Sequence, residues 1–441
     1  MKSVLVVGLG KTGQSVLAYC HRMGWRPIAF DTRDNVPDKA AIALCWPQLP
    51  IHLGDLPDSV LSEIERLIVS PGVDLNHPVI VAARARNLPI VGDIELFAAA
   101  AAAPIIAITG SNGKSTVTSL VTEMIKAAGR CAQIGGNIGI PVLDLLEKPL
   151  PDYYVLELSS FQLELTEHLQ AFVAVVLNIS PDHLDRHGSV AAYQAAKERV
   201  YRDCRHAVVN REMQYQTSFK QVTSFGLDPA APPHYGLMQH DGEYHLAQGL
   251  VRLLPIKEIS PGLSGRHNIE NALAALAIVA PLHLPLAPML KILRSFAGLP
   301  HRCQRVRTLN DVTWFNDSKG TNIGATMAAL KGLGALCPGK LILLLGGQGK
   351  GADFTELRPD IERYIRAVIV FGQDAPLIAK ALNGLPLHEV KDFHGVIETA
   401  QHLAQEGDYV LLSPACASLD MFKNYEHRGE VFTDLVQHLD N

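Results

Sequence analysis

Short, wholly apolar runs recur along this chain, and most stop at a turn rich in Gly, Ser, Asn or Asp. Runs of this kind predict buried strands whose loops gather at one edge of a sheet. The first is Ser3–Val7, which leads into Gly8-Leu-Gly10-Lys-Thr-Gly13 and a helix to about Met23. A second strand over 27–30 ends at Asp31-Thr32-Arg33, and a third, Arg66–Val69, ends at Ser70-Pro71-Gly72. Further strands are predicted over 104–108, 153–156, 172–177, 306–308, 313–315, 341–345, 367–371 and Tyr409–Leu412. Between them lie stretches with helical spacing. One opens at Lys114 and carries Leu120, Val121, Met124 and Ile125 on its apolar face; others cover 190–201 and 265–279. Residues 235–259 alternate around Asp241-Gly242, which predicts an appended β-hairpin.

Alternating strands and helices define an α/β chain. Its 441 residues suffice for several domains. The pattern divides them into a Rossmann-like N-terminal domain over 1–93, a central P-loop ATPase-type α/β domain over 94–297, and a C-terminal Rossmann-like α/β domain over 298–441. Hydrophobic residues make up 48% and charged residues 19%, which supplies material for several cores in a water-soluble chain. A net charge of −5 predicts no polyanion partner, so no nucleic acid is expected. Seven cysteines lie far apart without a C-x-x-C pair; reduced thiols in a cytoplasmic protein are expected, not a disulfide framework or zinc site. The chain opens directly on a strand, so no leader is expected. The most apolar stretch, 96–108, is too short to span a bilayer and is interrupted by Pro104, so no membrane insertion is expected.

One stretch carries explicit chemistry. Gly110-Ser111-Asn112-Gly113 makes a tight turn between the 104–108 strand and a helix opened by Lys114, Ser115 and Thr116. Successive backbone N–H groups and the positive end of the helix then meet at one point, which suits a phosphate. Lys114 would reach the outer phosphates, and the hydroxyl of Ser115 or Thr116 would hold Mg²⁺. The usual phosphate loop has a further Gly where Ile108 stands, so Gly110 does the turning in a shortened variant. The Gly8, Gly10, Gly13 turn, with Asp31 beyond it, is a dinucleotide-type fingerprint whose physics serves any nucleotide diphosphate. Lys11 and Arg33 add positive charge there. Two more strands bring polar ends to the edge that carries the phosphate loop: Glu157 after 153–156, and Asp182-His183-Leu-Asp185 after 172–177. Amide side chains at the front of the 265–279 helix either cap it or touch a base. The loops come without a partner motif for hydride transfer, which argues against a dehydrogenase.

Taken in order, several motifs resemble the Mur ligases, the ATP-dependent amide-forming enzymes of peptidoglycan assembly. They are Thr109-Gly-Ser-Asn-Gly-Lys-Ser-Thr116, Gly136-Asn137, Glu157-Leu-Ser-Ser, Asn178-Ile-Ser-Pro-Asp-His183-Leu-Asp185, His267-Asn268 with Asn271, His301-Arg302, and Asn316-Asp317-Ser-Lys319. The resemblance runs over essentially the whole chain. The Gly8 loop, Ser70-Pro71-Gly72 and Leu412-Ser-Pro-Ala-Cys-Ala-Ser418-Leu419-Asp420 are most similar to the member that joins D-glutamate to UDP-N-acetylmuramoyl-L-alanine.

The resemblance implies that ATP phosphorylates the substrate carboxylate, the amine of D-glutamate attacks the acyl phosphate, and phosphate leaves. It implies a cytoplasmic enzyme with two Mg²⁺ ions; a monomer is expected, although the sequence does not fix the oligomeric state. Ser115, Thr116 and Glu157 would hold one ion, His183 and Lys197 the other. A protonated amine is no metal ligand, so Lys197 would be carbamylated by CO₂. Lys114, Glu157, His183 and Lys197 form the implied catalytic set. The loop residues Gly110, Ser111, Asn112, Gly113, Lys114, Ser115 and Thr116 would bind ATP together with Asn268, Asn271, Arg302 and Asp317. Thr12, Asp31, Thr32, Arg33, Ser70, Pro71 and Gly72 would hold the UDP-sugar, and Asn137 its acyl end. Lys319, Thr321, Lys350, Ser418, Leu419 and Tyr425 would receive D-glutamate, whose two carboxylates need cations and hydroxyls. Gln348 stands where many members carry an acid. The nearest alternative is another Mur-type ligase. Folylpolyglutamate synthase resembles only the second and third domains, and the member that takes a diamino acid would carry Asn-Pro-Arg, which this chain lacks. A non-catalytic nucleotide-binding scaffold would not need Glu157, His183 and Lys197 together.

Overall fold

The computed structural model describes residues 2–36, 39–215, 218–263 and 265–440. The strands form three sheets. The first is parallel, in the order Ile51–Leu53, Arg26–Asp31, Ser3–Val7, Arg66–Val69, Ile90–Val91. Its strand order reverses between Ser3–Val7 and Arg66–Val69. The loops that follow these two strands therefore part, and a crevice opens at the carboxyl edge.

The central sheet has nine strands, in the order Val251–Pro255, Glu243–Gln248, Tyr235–His240, Val222–Phe225, His206–Asn210, Val173–Val176, Ile105–Thr109, Tyr153–Glu157, Ala132–Gly136. The last seven run parallel. Ile105–Thr109 is entirely buried, which explains its unbroken apolar run. It lies between the strand that ends at Glu157 and the strand that leads to Asn178. The hairpin predicted over 235–259 is instead a three-stranded antiparallel meander. A second reversal at Gly249-Leu250, with Gly249 at φ +53°, adds the third strand. The helix predicted over 190–201 is α-helical over Val190–Glu198 and tightens to a 3₁₀ turn over Arg199–Tyr201.

The third sheet runs Gln304–Leu309, Val312–Asn316, Tyr409–Leu412, Leu341–Gly346, Ile365–Phe371, Leu387–Glu389. It is parallel except for its first edge strand. The C-terminal end of Tyr409–Leu412 lies between those of Val312–Asn316 and Leu341–Gly346, so Asp317, Gly347 and Ser413 leave the sheet side by side.

A single apolar cluster joins the first lobe to the central one, with Val4, Leu17 and Cys20 packed into the same core as Phe97, Leu143, Tyr154 and Ala174. The third lobe is built differently. Its two clusters, around Leu343 and around Trp314 and Phe432, draw only on residues of its own. Among the described residues no helix is long and apolar enough to cross a membrane, and the seven cysteines are free thiols.

Candidate active site

Ile108 remains in its strand, and the turn is made by Gly110 at φ +150° and Gly113 at φ +82°. Gly113 is required twice over. Its backbone is left-handed, and a Cβ there would run into the Asn271 carboxamide oxygen. The loop is braced from the neighbouring strand: Asn112 N–H donates to Asn178 Oδ1 at 2.8 Å, and Ser180 N–H donates to Ser111 Oγ at 2.9 Å. Lys114 heads the helix Lys114–Ala127 and folds back, donating from Nζ to the Gly110 and Ser111 carbonyls at 2.8 Å each.

Glu157 ends the adjacent strand and is 1% exposed. Its Oε1 accepts from Asn137 Nδ2 at 2.8 Å, while Oε2 is buried without a partner among the described residues. Burial pushes this carboxyl up. The Lys114 charge, the Ser115 hydroxyl, the Lys319 charge and the Asn137 amide outweigh burial and hold it below its ordinary value. An ionised carboxylate with one open oxygen, close to Ser115, is a donor set that fits a hard divalent cation. His183 stands at φ +53°, packed edge-on against Phe161 with ring centres 4.8 Å apart. Burial pulls its imidazole down to about 4, so it is neutral near pH 7 and fits a ligand role. Lys197 is 1% exposed. Its Nζ lies over the Tyr193 ring at 4.7 Å and donates to Thr109 Oγ1 at 3.3 Å. Burial, followed by the charge of Lys114, holds this amine well below the ordinary lysine value.

Two cavities flank this cluster. The smaller, about 270 Å³, lies between the central and third lobes and includes Asn112, Gly113, Thr116, Asn268, Asn271, Arg302, Asp317 and Lys319 in its wall. The two amides do not cap their helix: Gly265 occupies the N-cap without a side-chain cap, and Asn271 Nδ2 donates to Asn268 Oδ1 at 3.1 Å. Arg302 reaches across and donates to Ser115 Oγ at 2.7 Å. Asp317 accepts from Ser413 Oγ at 2.7 Å and from Cys303 N–H at 3.1 Å; burial raises its carboxyl to about 6. The larger cavity, about 850 Å³, is walled by all three lobes, with Thr12, Asp31, Thr32, Arg33, Ser70, Pro71, Gly72, Asn137, Lys319 and Tyr425 among its residues. Lys319 belongs to both walls. Its ammonium sits 3.6 Å from the centre of the Tyr425 ring, and burial lowers its pKa to about 8.

Asp31 is already engaged. It accepts from Leu9 N–H at 2.8 Å and from the Arg33 backbone and guanidinium at 2.8–3.1 Å. Its immediate work is to brace the Gly8 turn, and a ribose hydroxyl would have to displace part of this set. Lys350 lies outside both cavity walls and pairs with Asp182 at 2.6 Å. Thr321, Ser418 and Leu419 also lie outside them, Leu419 being 66% exposed. Gln348 Nε2 donates to Gln373 Oε1 at 3.1 Å.

The sequence left several neighbours out of the site. Asn322 caps the helix Ile323–Gly334 through Oδ1, while its Nδ2 reaches Asn112 Oδ1 and Asp182 Oδ2 at 3.2 and 3.1 Å. The helix cap was readable in an Asn before an apolar run; the cross-lobe contact was not. Tyr193 and Phe161 likewise had no signal beyond an aromatic residue beside a named one.

Three successive stretches match family models: residues 2–92 a Mur ligase MurD-like N-terminal domain, 108–279 the Mur ligase middle domain, and 301–416 the Mur ligase glutamate ligase domain. The chain belongs to the Mur ligase family. Among curated relatives, the UDP-N-acetylmuramoylalanine–D-glutamate ligase of Pseudomonas aeruginosa is 49% identical over 99% of this chain and 98% of its own. The protein of that name from Legionella pneumophila strain Paris is 47% identical over 99% of both chains. Of solved structures, the UDP-N-acetylmuramate-alanine ligase MurC of Thermotoga maritima shares the fold, with a TM-score of 0.63 at 20% identity over 99% of both chains. The MurF ligase of the same organism, solved with ADP, has a TM-score of 0.63 at 17% identity over 99% of this chain and 96% of that one.

Proposed function

We propose that this protein is an ATP-dependent ligase that joins D-glutamate to UDP-N-acetylmuramoyl-L-alanine in peptidoglycan synthesis. The names of its full-length relatives support this reading. The geometric observation that carries it is the shared wall residue Lys319: the cavity at the phosphate loop and the three-lobed cavity adjoin at one cation. A triphosphate tail and an acyl carboxylate entering from the two sides would meet there.

In this reading residues 1–93 hold the UDP-sugar, 94–297 the ATP, and 298–441 the amino acid, in a cytoplasmic monomer. A free carboxylate is a poor acylating agent, so ATP first converts it to an acyl phosphate. The D-glutamate amine then adds to that carbonyl, and the tetrahedral intermediate collapses with loss of phosphate to leave an amide. The protein's share is positioning and charge neutralisation. Lys114 and the loop N–H groups hold the phosphates; Arg302 approaches from the third lobe; Asn137 orients the acyl end; Lys319 and Lys350 attract the two carboxylates of D-glutamate. Ser115, Thr116 and Glu157 would hold one Mg²⁺, and His183 with Lys197 a second. Bound there, the ions offset the repulsion between carboxylate and triphosphate. The depressed pKa of Lys197 favours the free amine that adds CO₂, releasing one proton to give a carbamate with a carboxylate end.

An amino-acid panel in a coupled ADP assay tests the reading. ADP release is expected only with UDP-N-acetylmuramoyl-L-alanine and D-glutamate together. Equal turnover with L-glutamate, L-alanine or a diamino acid would overturn it.

A further inference from the structure

We propose that Arg186 is a positioning residue that fixes the Ser70-Pro71-Gly72 loop of the first lobe against the His183 segment of the central lobe. The inference rests on the reading of the large cavity as the UDP-sugar site. Arg186 lies three residues beyond His183, in the short helix Leu184–His187. Its Nη1 crosses between lobes and donates to the Pro71 carbonyl at 2.9 Å and the Val73 carbonyl at 3.0 Å. The other edge of the guanidinium, Nε and Nη2, donates to Glu164 Oε2 at 3.2 and 2.8 Å. Its face lies over the Phe161 ring at 4.2 Å, and that ring is the one packed against His183. Glu164 is itself held, its Oε1 lying 3.4 Å from His187 Nδ1, while His187 Nε2 pairs with Ser160 Oγ at 3.0 Å. One side chain therefore touches the loop, the carboxylate that anchors it, and the ring that seats His183.

The consequence for binding follows from peptide geometry. In a trans peptide the C=O and N–H point to opposite sides. Holding the Pro71 carbonyl on Arg186 turns the Gly72 N–H away from Arg186. Gly72 lines the large cavity and Arg186 does not, so Arg186 orients a donor of the site without entering it. The arrangement needs a guanidinium. Lysine would keep the charge but lose both the fork that spans two carbonyls and a carboxylate and the flat face that covers Phe161.

The test compares wild type with Arg186→Met, Arg186→Lys and Arg186→Ala. UDP-N-acetylmuramoyl-L-alanine is titrated by calorimetry, KM is measured for each substrate, and thermal unfolding is followed. We expect Arg186→Met and Arg186→Lys each to weaken binding of the UDP-sugar by about tenfold or more, the loss appropriate to a charged hydrogen bond. The KM values for ATP and D-glutamate should stay within about twofold by the same arithmetic. Millimolar guanidinium should restore part of the lost binding in Arg186→Ala. Unchanged UDP-sugar affinity, full activity in Arg186→Lys, or a parallel rise of all three KM values with a lowered melting temperature would each overturn the proposal. If Arg186→Met does not fold, Arg186→Lys and the guanidinium rescue decide it. Failure of the wild type to bind the UDP-sugar would instead sink the functional reading itself.

Discussion

Lys319 and Lys197 are two buried amines that burial lowers, and both feel the charges of Lys114 and Glu157. Lys319 has Glu157 and Glu426 as opposing charges and titrates at about 8. It is a cation below that pH and loses its charge above it. If it receives a carboxylate of D-glutamate, the affinity for D-glutamate measured by calorimetry should be flat below about pH 8 and fall by up to roughly tenfold per unit above it. An affinity flat to about pH 9.5 would remove Lys319 from the role. Lys197 has no carboxylate within hydrogen-bond reach among the described residues, only Thr109 and the Tyr193 ring. Lys197→Ala should lose turnover, and bicarbonate or a short carboxylic acid should restore part of it. A dead variant without rescue would leave the carbamate unsupported. Residue types and order made these positions legible. Their protonation was not, because desolvation depends on what other parts of the chain pack around them.

At the level of elements, the buried parallel strands were the most readable feature. Ser3–Val7, Arg66–Val69 and Tyr409–Leu412 stand at their expected bounds because strands buried on both faces need unbroken apolar runs. Short strands with mixed faces were missed. Val222–Phe225 contains Thr223 and Ser224, and its strand character comes from pairing with His206–Asn210. The meander was read as a hairpin because only one of its two turns carries an Asp-Gly signal. The phosphate loop depends on local backbone shape, and Gly113 tests it. Gly113→Ala puts a Cβ into left-handed backbone, costing about 1–2 kcal/mol, and pushes against Asn271. A lower melting temperature together with a raised KM for ATP is expected. An unchanged KM would mean that the loop adapts without loss.

The three lobes are not joined alike. The first and central lobes share an apolar core, whereas contacts near the site between central and third lobes are polar: Arg302 to Ser115, Asn322 to Asn112 and Asp182, Lys350 to Asp182. Polar interfaces of this kind exchange protein contacts for water at small net cost, so relative motion of the third lobe is expected. Asp182→Asn combined with Arg302→Met removes both charged contacts. Small-angle scattering of the free protein should then show a larger radius of gyration than wild type. An identical radius would show that these contacts do not hold the lobe in place.

By itself the sequence determined the alternation of strand and helix, the Gly110–Gly113 turn at the head of a helix, and the order of the charged and amide side chains proposed to hold ligands. Those properties are local: apolar runs choose strands, glycines permit turns, and side-chain chemistry does not depend on partners. Only the tertiary structure decided that Asp31 braces its own loop, that Glu157 keeps one oxygen open, that Lys319 faces two cavities, and that Arg186 spans two lobes. Each of these is a contact or a dielectric environment made by chain segments far apart in sequence, and distance along the chain carries no record of it.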